Sequence, residues 1–387
     1  MIVITIIQII FLLYLGFASL YIFFFGFGSL FPSRQKQSKN TKQRKYAVLI
    51  PGYKEDNVIV EVASDALKQD YPSELFDVVI IADSFKKETL ESLDKLPIQV
   101  IEVSFDLSTK SKALNSAMAQ LPDIYDVAVV LDADNIMAPD FITRINNAFD
   151  NGFMAVQGHR VAKNYNTPFA ILDAISEEVN NMVFRKGHRT WGLSAALIGS
   201  GMAMDYNYFK TMMKSIKAVG GFDKEIELQM LKEGIRIEFL NDAIVYDEKV
   251  QKAEVFSNQR RRWLSAQLHY FSMDFLNSLK HLILHGNVDY FDKAIQFIQP
   301  PRVMLLGLLF VINILSFIFN PITWVYIWLS VLAVCLLAFI LTIPVKFYNF
   351  KTLQAILTLP KAFVLMTLSL LKIKGANKKF IHTEHGT

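Results

Sequence analysis

The sequence has little cysteine, and two long stretches have no charged residue. One cysteine, Cys335, stands among 387 residues, so no disulfide can form within the chain and a secreted, disulfide-built fold is disfavoured. Residues 1–33 and 303–345 contain no Asp, Glu, Lys or Arg. With 52% hydrophobic residues the chain is too apolar for an ordinary soluble protein, yet the residues between those stretches have a globular composition. The net charge of +4 is mild, and we expect no nucleic-acid partner.

Both charge-free stretches are long enough to cross a membrane. A bilayer core takes about 20 helical residues, and residues 6–31 exceed that length. A signal peptide is disfavoured there because the start is not basic, the apolar core is too long and no A-x-A-like site follows. Residues 303–345 carry Asn320-Pro321 near their middle, which predicts a hairpin of two spans.

The flanking charges predict the orientation. Residues 34–45 hold six Lys and Arg and no acid, and the C-terminal tail is also basic. By the positive-inside rule we expect the N-terminus of a three-span protein outside and the globular part in the cytoplasm. The membrane is expected to be a bacterial inner membrane. Residues 352–371 are split by Pro360-Lys361, and an interfacial segment is favoured there because a fourth span would place the basic tail outside. The 34–45 cluster also suits a plain linker, with or without contact to membrane lipids.

Short β-branched runs alternate with amphipathic stretches in the middle of the chain. The runs are 46–51, 77–82, 98–103 and 127–131, separated by 57–69, 86–95 and 109–120, and further strands are predicted at 153–158, 235–239 and 243–246. The alternation predicts an α/β domain with a mostly parallel sheet covered on both faces. Ligands bind beyond the carboxyl ends of the strands in such sheets.

Asp132 and Asp134 directly follow the strand at 127–131. Two carboxylates so close repel each other unless a cation is near. Mg²⁺ and Mn²⁺ suit them, because these ions take one or two carboxylates and complete their coordination with phosphate oxygens and water. The alternative is that the pair caps the helix beginning near Pro139 or lies in a solvated turn.

Other strand ends and one helix carry further candidates. Tyr53 and Glu55 follow the first strand and Asp83 follows the second, where a ring and two carboxylates could contact a nucleobase or ribose. Each by itself also suits a turn or helix cap. Lys112 and Asn115 lie on one face of a predicted helix, which for a single lysine is ordinarily a solvated face.

Two later motifs are open to two interpretations. In QRRRW, a helix would place Gln259, Arg262 and Trp263 on one face, where arginine can clamp phosphate and tryptophan can stack on a sugar. A juxtamembrane basic patch is the alternative. Glu225 and Glu227 follow a glycine pair at a predicted helix start, which suits either the helix dipole or a general base.

In their order along the chain, these motifs resemble those of the membrane-attached family 2 glycosyltransferases, which include cellulose, chitin and hyaluronan synthases. The series covers about residues 45–300 and reads PGYKED, ADS, SKALN, DADN, GSG, GGFDKEIEL and QRRRW. The resemblance implies the GT-A fold, a Rossmann-like domain that is flanked here by transmembrane helices. The expected organisation is a transmembrane helix at 1–33, a basic cytoplasmic linker at 34–45, the GT-A domain at 46–285, a juxtamembrane segment at 286–302, a transmembrane hairpin at 303–345, and an interfacial segment with a basic tail at 346–387.

The resemblance also implies a role for each candidate residue. Nucleotide contacts are implied for Tyr53, Glu55, Asp83, Lys112 and Asp132, with Lys112 near the diphosphate. Binding of Mg²⁺ or Mn²⁺ is implied for Asp134 together with Asp132. Contacts to the diphosphate and the acceptor are implied for Gln259, Arg262, Trp263 and, in GSGM, Gly201.

The sequence departs from the family at the catalytic base. The family usually has Glu-Asp at this place, with the Asp as base. In this chain the corresponding residues are interpreted to be Lys224-Glu225. Glu225 is therefore predicted as the base, with Glu227 in reserve.

The expected activity is inverting, metal-dependent sugar transfer from a UDP-sugar to a hydroxyl of a glycan or lipid-linked acceptor at the cytoplasmic face, in polysaccharide or glycolipid synthesis. Self-association and export partners are left open. One alternative is an inactive nucleotide-sugar-binding scaffold or sensor, supported only by Lys224-Glu225. A receptor or transporter is disfavoured because the spans nearly lack polar residues.

Overall fold

The computed structural model describes residues 2–32, 42–216, 218, 220–251 and 253–371. The strands are β1 Tyr46–Tyr53, β2 Phe76–Asp83, β3 Gln99–Val103, β4 Val127–Val130, β5 Ile136–Met137, β6 Ala155–Ala162, β7 Met202–Asp205 and β8 Ile237–Asp247. The helices are α1 Ile2–Gly28, α2 Ile59–Ala66, α3 Lys87–Leu93, α4 Lys110–Gln120, α5 Phe141–Asp150, α6 Pro168–Asn180, α7 His188–Thr190, α8 Tyr206–Met213, α9 Phe222–Lys232, α10 Ala253–His285, α11 Val288–Phe297, α12 Arg302–Phe319, α13 Ile322–Thr342, α14 Phe350–Ile356 and α15 Leu359–Leu371. A π-helix, Asn181–Gly187, joins α6 to α7, and short 3₁₀ turns lie at Ser73–Leu75 and Val345–Phe347.

All eight strands form one sheet in the order β3-β2-β1-β4-β7-β6-β8-β5. Strands β1 to β4 pair in parallel, as do β6 and β8, whereas β7 is antiparallel to both its neighbours and β5 to β8. The prediction of a mostly parallel sheet is confirmed. The two strands predicted at 235–239 and 243–246 are one strand, β8, and neither β5 nor β7 was predicted, because both are short and lack a β-branched run.

Alternate residues of the central strands enter two separate apolar layers. On β1, Ala47 and Leu49 pack in one layer and Val48 and Ile50 in the other, and all four are fully buried. This follows from the period of two in a strand. Burial on both faces explains why the run contains no polar alternation.

Three helices of the described chain, Val3–Gly28, Arg302–Phe319 and Ile322–Thr342, are long and apolar enough to cross a membrane. Their positions agree with the predicted spans, and the hairpin turns at Asn320-Pro321. Helices α14 and α15 meet at a bend of 43° and would count as a fourth, broken span if taken together. Orientation in the membrane and the interfacial placement of this pair stay predictions.

The membrane-length helices pack directly on the sheet domain. Val179 and Val183, at the end of α6 and in the π-helix, share a buried cluster with Leu15 and Ile22 of α1. A second connection is made by Glu178, whose carboxylate lies 2.9 Å from His159 Nε2 and 2.9 Å from Lys346 Nζ. Burial raises the pKa of Glu178, but the bonds from His159 and Lys346 outweigh burial and hold that pKa below its ordinary value.

Candidate active site

A cavity of about 500 Å³ lies at the carboxyl ends of β1, β2 and β4, where the sheet rule places ligands. We call it the site cavity. The predicted residues that line it are Tyr53, Glu55, Asp83, Asp132, Asp134, Gln259, Arg262 and Trp263. The predicted residues that are not part of its described lining are Lys112, Gly201, Glu225 and Glu227. Residues separated by up to 210 positions (Tyr53 to Trp263) are therefore brought to one space.

The ends of β1 and β2 form one side of the site cavity. Asp83 is buried, and its Oδ1 accepts a 2.9 Å hydrogen bond from the Ser84 hydroxyl. Lys54 and Ser84, directly after the two strands, have positive φ values of 55° and 60°. Non-glycine residues rarely adopt this conformation, and such strain tends to occur at functional sites. Here the two turns leave Tyr53 and Asp83 at the cavity wall.

A third carboxylate joins the predicted aspartate pair. Oxygens of Asp132, Asp134 and Asp247 all lie within 4.8 Å of one another. Asp247 ends β8, and the sequence signal that could have found it is the same one that singled out Asp132: a carboxylate after a strand, here in AIVYD. Three hard oxygen donors in one place fit Mg²⁺ or Mn²⁺.

Asn135 orients two of these carboxylates. Its Nδ2 donates to Asp134 Oδ1 and to Asp247 Oδ1, each at 3.1 Å. The backbone N–H of Glu248 donates to the other oxygen of Asp134 at 3.2 Å. Hydrogen bonds of this kind hold ligand carboxylates in one orientation. Asn135 is part of the sequence motif DADN. Its contact with both carboxylates could not be predicted from the motif, because Asp247 lies on a distant strand.

Cations surround the three carboxylates. Lys110 pairs with Asp132, while Arg160 Nη1 lies 3.7 Å from Asp132 and 3.4 Å from Asp247. Lys249 Nζ lies 2.7 Å from Asp247. Burial raises the pKa of Asp132, but Lys110 and Arg160 outweigh burial and hold that pKa below its ordinary value. The Asp132 carboxylate is thus ionised at neutral pH, as a metal ligand must be.

Lys110, and not the predicted Lys112, lines the site cavity. Lys110 is the first residue of α4, and its Nζ donates to the Gly199 carbonyl at 2.8 Å as well as to Asp132. Lys112 Nζ donates to the Leu107 carbonyl, an exposed contact outside the lining. The two lysines stand two apart, so they lie on different sides of the helix. A diphosphate role for Lys112 stays a prediction, and the geometry favours Lys110.

The predicted bases Glu225 and Glu227 lie in different surroundings from Asp223, a residue that the sequence motifs did not single out. Asp223 lines the site cavity near the start of α9, and its side chain is 11% exposed. Glu227 is buried, 2.7 Å from Lys293 Nζ, and accepts a hydrogen bond from the Leu197 N–H. Burial raises the pKa of Glu227 even though Lys293 opposes the shift. That carboxylate is engaged in holding α9 to α11.

Glu225, the first choice from sequence, lies in the first turn of α9, two residues beyond Asp223. Positions two apart on a helix point in different directions, which is why Asp223 lines the site cavity and Glu225 does not. The GSGM segment faces the same helix. Gly199, with φ of 83°, lines the site cavity, and a Cβ on it would lie 3.5 Å from that of Asp223. The Gly201 carbonyl instead accepts backbone and amide bonds of β6.

The QRRRW helix closes the opposite wall. Gln259, Arg262 and Trp263 all line the site cavity, on one face as their spacing predicts. Burial lowers the pKa of the Arg262 guanidinium, which still leaves it charged at neutral pH. Arg260 pairs with Asp173 and places its guanidinium carbon 4.4 Å from the Trp263 ring centre.

The fold and the carboxylate-lined crevice are those of a glycosyltransferase, and comparison with known proteins agrees. The model of the family described as "Glycosyltransferase like family 2" matches residues 43–266, and the chain belongs to that family. It is similar to the probable glycosyltransferase YdaM of Bacillus subtilis (strain 168), with 25% identity over 250 residues, 59% of this chain and 56% of that protein. The match thus spans little more than half of that relative.

A solved structure shares the fold. Mannosyltransferase PcManGT from Pyrobaculum calidifontis, described in complex with GDP-Man and Mn²⁺, aligns with a TM-score of 0.54 and 16% identity, over 86% of this chain and 98% of that one. Identity this low shows a common fold and leaves substrate and metal to be argued from the residues. The predicted GT-A fold is confirmed.

Proposed function

We propose that the protein is an inverting glycosyltransferase that moves a sugar from a nucleoside-diphosphate sugar to an acceptor hydroxyl at a membrane surface. The proposed donor is a UDP-sugar. The observation that carries the proposal is the continuity of the site cavity. Tyr53 and Asp83 line one side, the carboxylates of Asp132, Asp134 and Asp247 meet in it, and Asp223 and Trp263 complete its lining. That order provides for nucleotide, diphosphate and acceptor in turn.

Asp132, Asp134 and Asp247 would hold Mg²⁺ or Mn²⁺, which when bound supplies charge neutralisation to the departing diphosphate. Lys110 and Arg262 add positive charge in the same cavity. Phosphate clamping suits Arg262 because guanidinium matches phosphate geometry. Tyr53 offers a face for the base to stack on, and Asp83 offers an acceptor for ribose or base N–H groups.

Asp223 is the base that the geometry favours, in place of Glu225 or Glu227. It takes the proton of the acceptor hydroxyl as that oxygen bonds to the anomeric carbon. The bond from that carbon to the diphosphate breaks on the opposite face, and its electron pair leaves with the nucleoside diphosphate. One displacement inverts the configuration. The alternative of an inactive scaffold was based only on the apparent loss of an acidic base at Lys224-Glu225. If Asp223 is the base, that argument no longer applies.

The experiment is a transfer assay on the purified full-length protein in detergent. UDP-sugars and GDP-sugars with radiolabelled sugars are offered with membrane lipid extract, with and without Mn²⁺, and with EDTA. We expect label in product from one UDP-sugar, abolished by EDTA and by Asp134→Asn. Transfer that is unchanged by EDTA would contradict the metal-dependent mechanism, and transfer from GDP-sugars alone would contradict the donor class.

A further inference from the structure

A second cavity, of about 900 Å³, lies between the sheet domain and the membrane-length helices. We call it the junction cavity. Leu172 of α6, Leu264 of α10, Leu306 of α12 and Ile340 of α13 line it, together with residues of the bent pair α14 and α15. Its volume is that of pockets which enclose a substantial ligand. Nothing in the proposed transfer reaction by itself requires it.

The junction cavity adjoins the site cavity. Five residues line both spaces: Asn180, Phe184, Trp263, Gln267 and Gln296. Two of them, Phe184 and Trp263, are aromatic side chains on opposite elements, the π-helix and α10. An elongated molecule held beside these two rings would contact the linings of both cavities at once.

The wall of the junction cavity suits a hydrocarbon chain and does not suit a glycan. Most of its lining is aliphatic or aromatic, contributed by the membrane-length helices together with α6, α14 and α15. A glycan strand presents hydroxyl groups that would lose their hydrogen bonds against such a wall, and an unpaired buried hydroxyl is costly. Burial of methylene groups is instead favourable by area.

The charges of the junction cavity are of one sign. Arg260 and Arg302 line it, and no Asp or Glu of the described chain does. Arg260 pairs with Asp173. Among the described residues, Arg302 bonds only to neutral partners, which are Asn180 Oδ1 and the Ser176 hydroxyl at 3.3 Å. Within the described residues no carboxylate lies within ion-pair distance of Arg302, and its Nε is buried without a hydrogen-bond partner.

The arginines also lie beside the two aromatic rings that line both cavities. The guanidinium carbon of Arg302 is 5.4 Å from the centre of the Phe184 ring, and that of Arg260 is 4.4 Å from the centre of the Trp263 ring. Arg302 begins α12, so its charge stands where the apolar helix starts. A phosphate held there would have its apolar chain on one side and the site cavity on the other.

From this arrangement we infer that the acceptor is a saccharide joined to a lipid through a phosphodiester or pyrophosphate. Its chain occupies the junction cavity, its phosphate meets Arg302, and its sugar hydroxyl reaches Asp223 between Phe184 and Trp263. This rests on the proposed transfer reaction and names its acceptor class. In that reaction Asp223 takes the hydroxyl proton, and the electron pair of the broken bond leaves with the nucleoside diphosphate.

Lipid binding without donor tests the inference separately from transfer. Fluorescent dioleoyl phosphatidylinositol and dioleoyl glucosyldiacylglycerol are titrated into the full-length protein in detergent; both have the same chains and a ring headgroup, and only the first has a phosphodiester. We expect the phosphodiester lipid to bind about tenfold more tightly, since a hydrogen-bonded charge is worth about that factor. Arg302→Gln should remove the preference and leave glucosyldiacylglycerol binding unchanged, whereas Arg144→Gln, on the surface, should keep it.

A second pair of variants tests the apolar part. Leu353→Trp adds bulk to a residue that lines the junction cavity and is 55% exposed, while Leu357 is 75% exposed on the same segment and lies outside the described lining. We expect Leu353→Trp to weaken binding of both lipids about tenfold and Leu357→Trp to leave it unchanged. Equal affinity for the two lipids in wild type, or equal behaviour of the two Trp variants, overturns the inference. Nucleoside-diphosphate binding with Mn²⁺, measured in parallel, shows whether the transfer proposal still stands.

Discussion

Replacing Asp223 by Asn should abolish sugar transfer while leaving the protein folded and able to bind donor. Asn has the shape of Asp but cannot accept a proton. A positioned general base contributes roughly 10²- to 10⁴-fold to a rate, which corresponds to about 3–5 kcal/mol in the activation barrier. The Asp223 carboxylate forms an ion pair with Lys224 at 3.6 Å. Loss of this ion pair should lower the free energy of unfolding by at most about 1 kcal/mol, because such partly exposed pairs contribute little.

The assay compares initial rates at saturating donor with the binding of nucleoside diphosphate. We expect the Asp223→Asn rate to fall at least about a hundredfold with nucleotide affinity unchanged. Glu225→Gln is the matched control on the same helix turn and should keep its rate within about threefold, since its carboxylate lies outside the described lining of the site cavity. A slow Glu225→Gln beside an active Asp223→Asn would restore the base predicted from the sequence and refute the geometric argument.

Variants of Asp247, Lys110 and Glu178 should each change one measurable property. Asp247→Asn should raise the Mn²⁺ concentration needed for half-maximal activity about tenfold or more, since one of the three proposed carboxylate ligands is lost. An unchanged metal titration would remove Asp247 from the proposed site. Lys110→Met should weaken nucleoside-diphosphate binding about tenfold, and Lys112→Met should leave calorimetric affinity unchanged; the reverse result would favour Lys112. Glu178→Gln should lower the apparent unfolding temperature at neutral pH. Because the pKa of Glu178 is lower in the folded protein, its carboxylate stabilises the fold above the ordinary glutamate pKa, and this stabilisation is lost as pH falls through the folded pKa. The difference in unfolding temperature between wild type and variant should therefore disappear below about pH 4. A difference that does not change with pH would contradict this.

Local patterns in the sequence predicted the fold elements that carry strong signals. The run at 46–51 became β1 because consecutive apolar residues serve both buried faces of the sheet. The charge-free stretches became membrane-length helices because a helix pairs its backbone groups within a single apolar segment. Strand β7, with only four residues and two methionines, gave no such signal, and its antiparallel direction depends on the chain around it.

The site divides in the same way. Asp132, Asp134 and the QRRRW face were recognisable because each is a compact motif whose spacing is set by one strand end or one helix. Asp247 was not, since its partnership with Asp134 spans more than a hundred residues and depends on β8 lying where it does. A carboxylate at the end of a strand is common; its meaning comes from which other strand ends are adjacent.

The sequence by itself determined the family, the α/β class, the apolar helices and the aspartate pair, because these depend on local periodicity and on motif order. Only the tertiary structure decided which of several neighbouring charged residues lines the cavity: Lys110 over Lys112, and Asp223 over Glu225. The physical reason is rotational. On a helix, residues two positions apart are rotated by more than half a turn about the axis. Two neighbouring charged residues that look alike in the sequence therefore point to different sides once the helix is packed, and only one of them reaches the cavity.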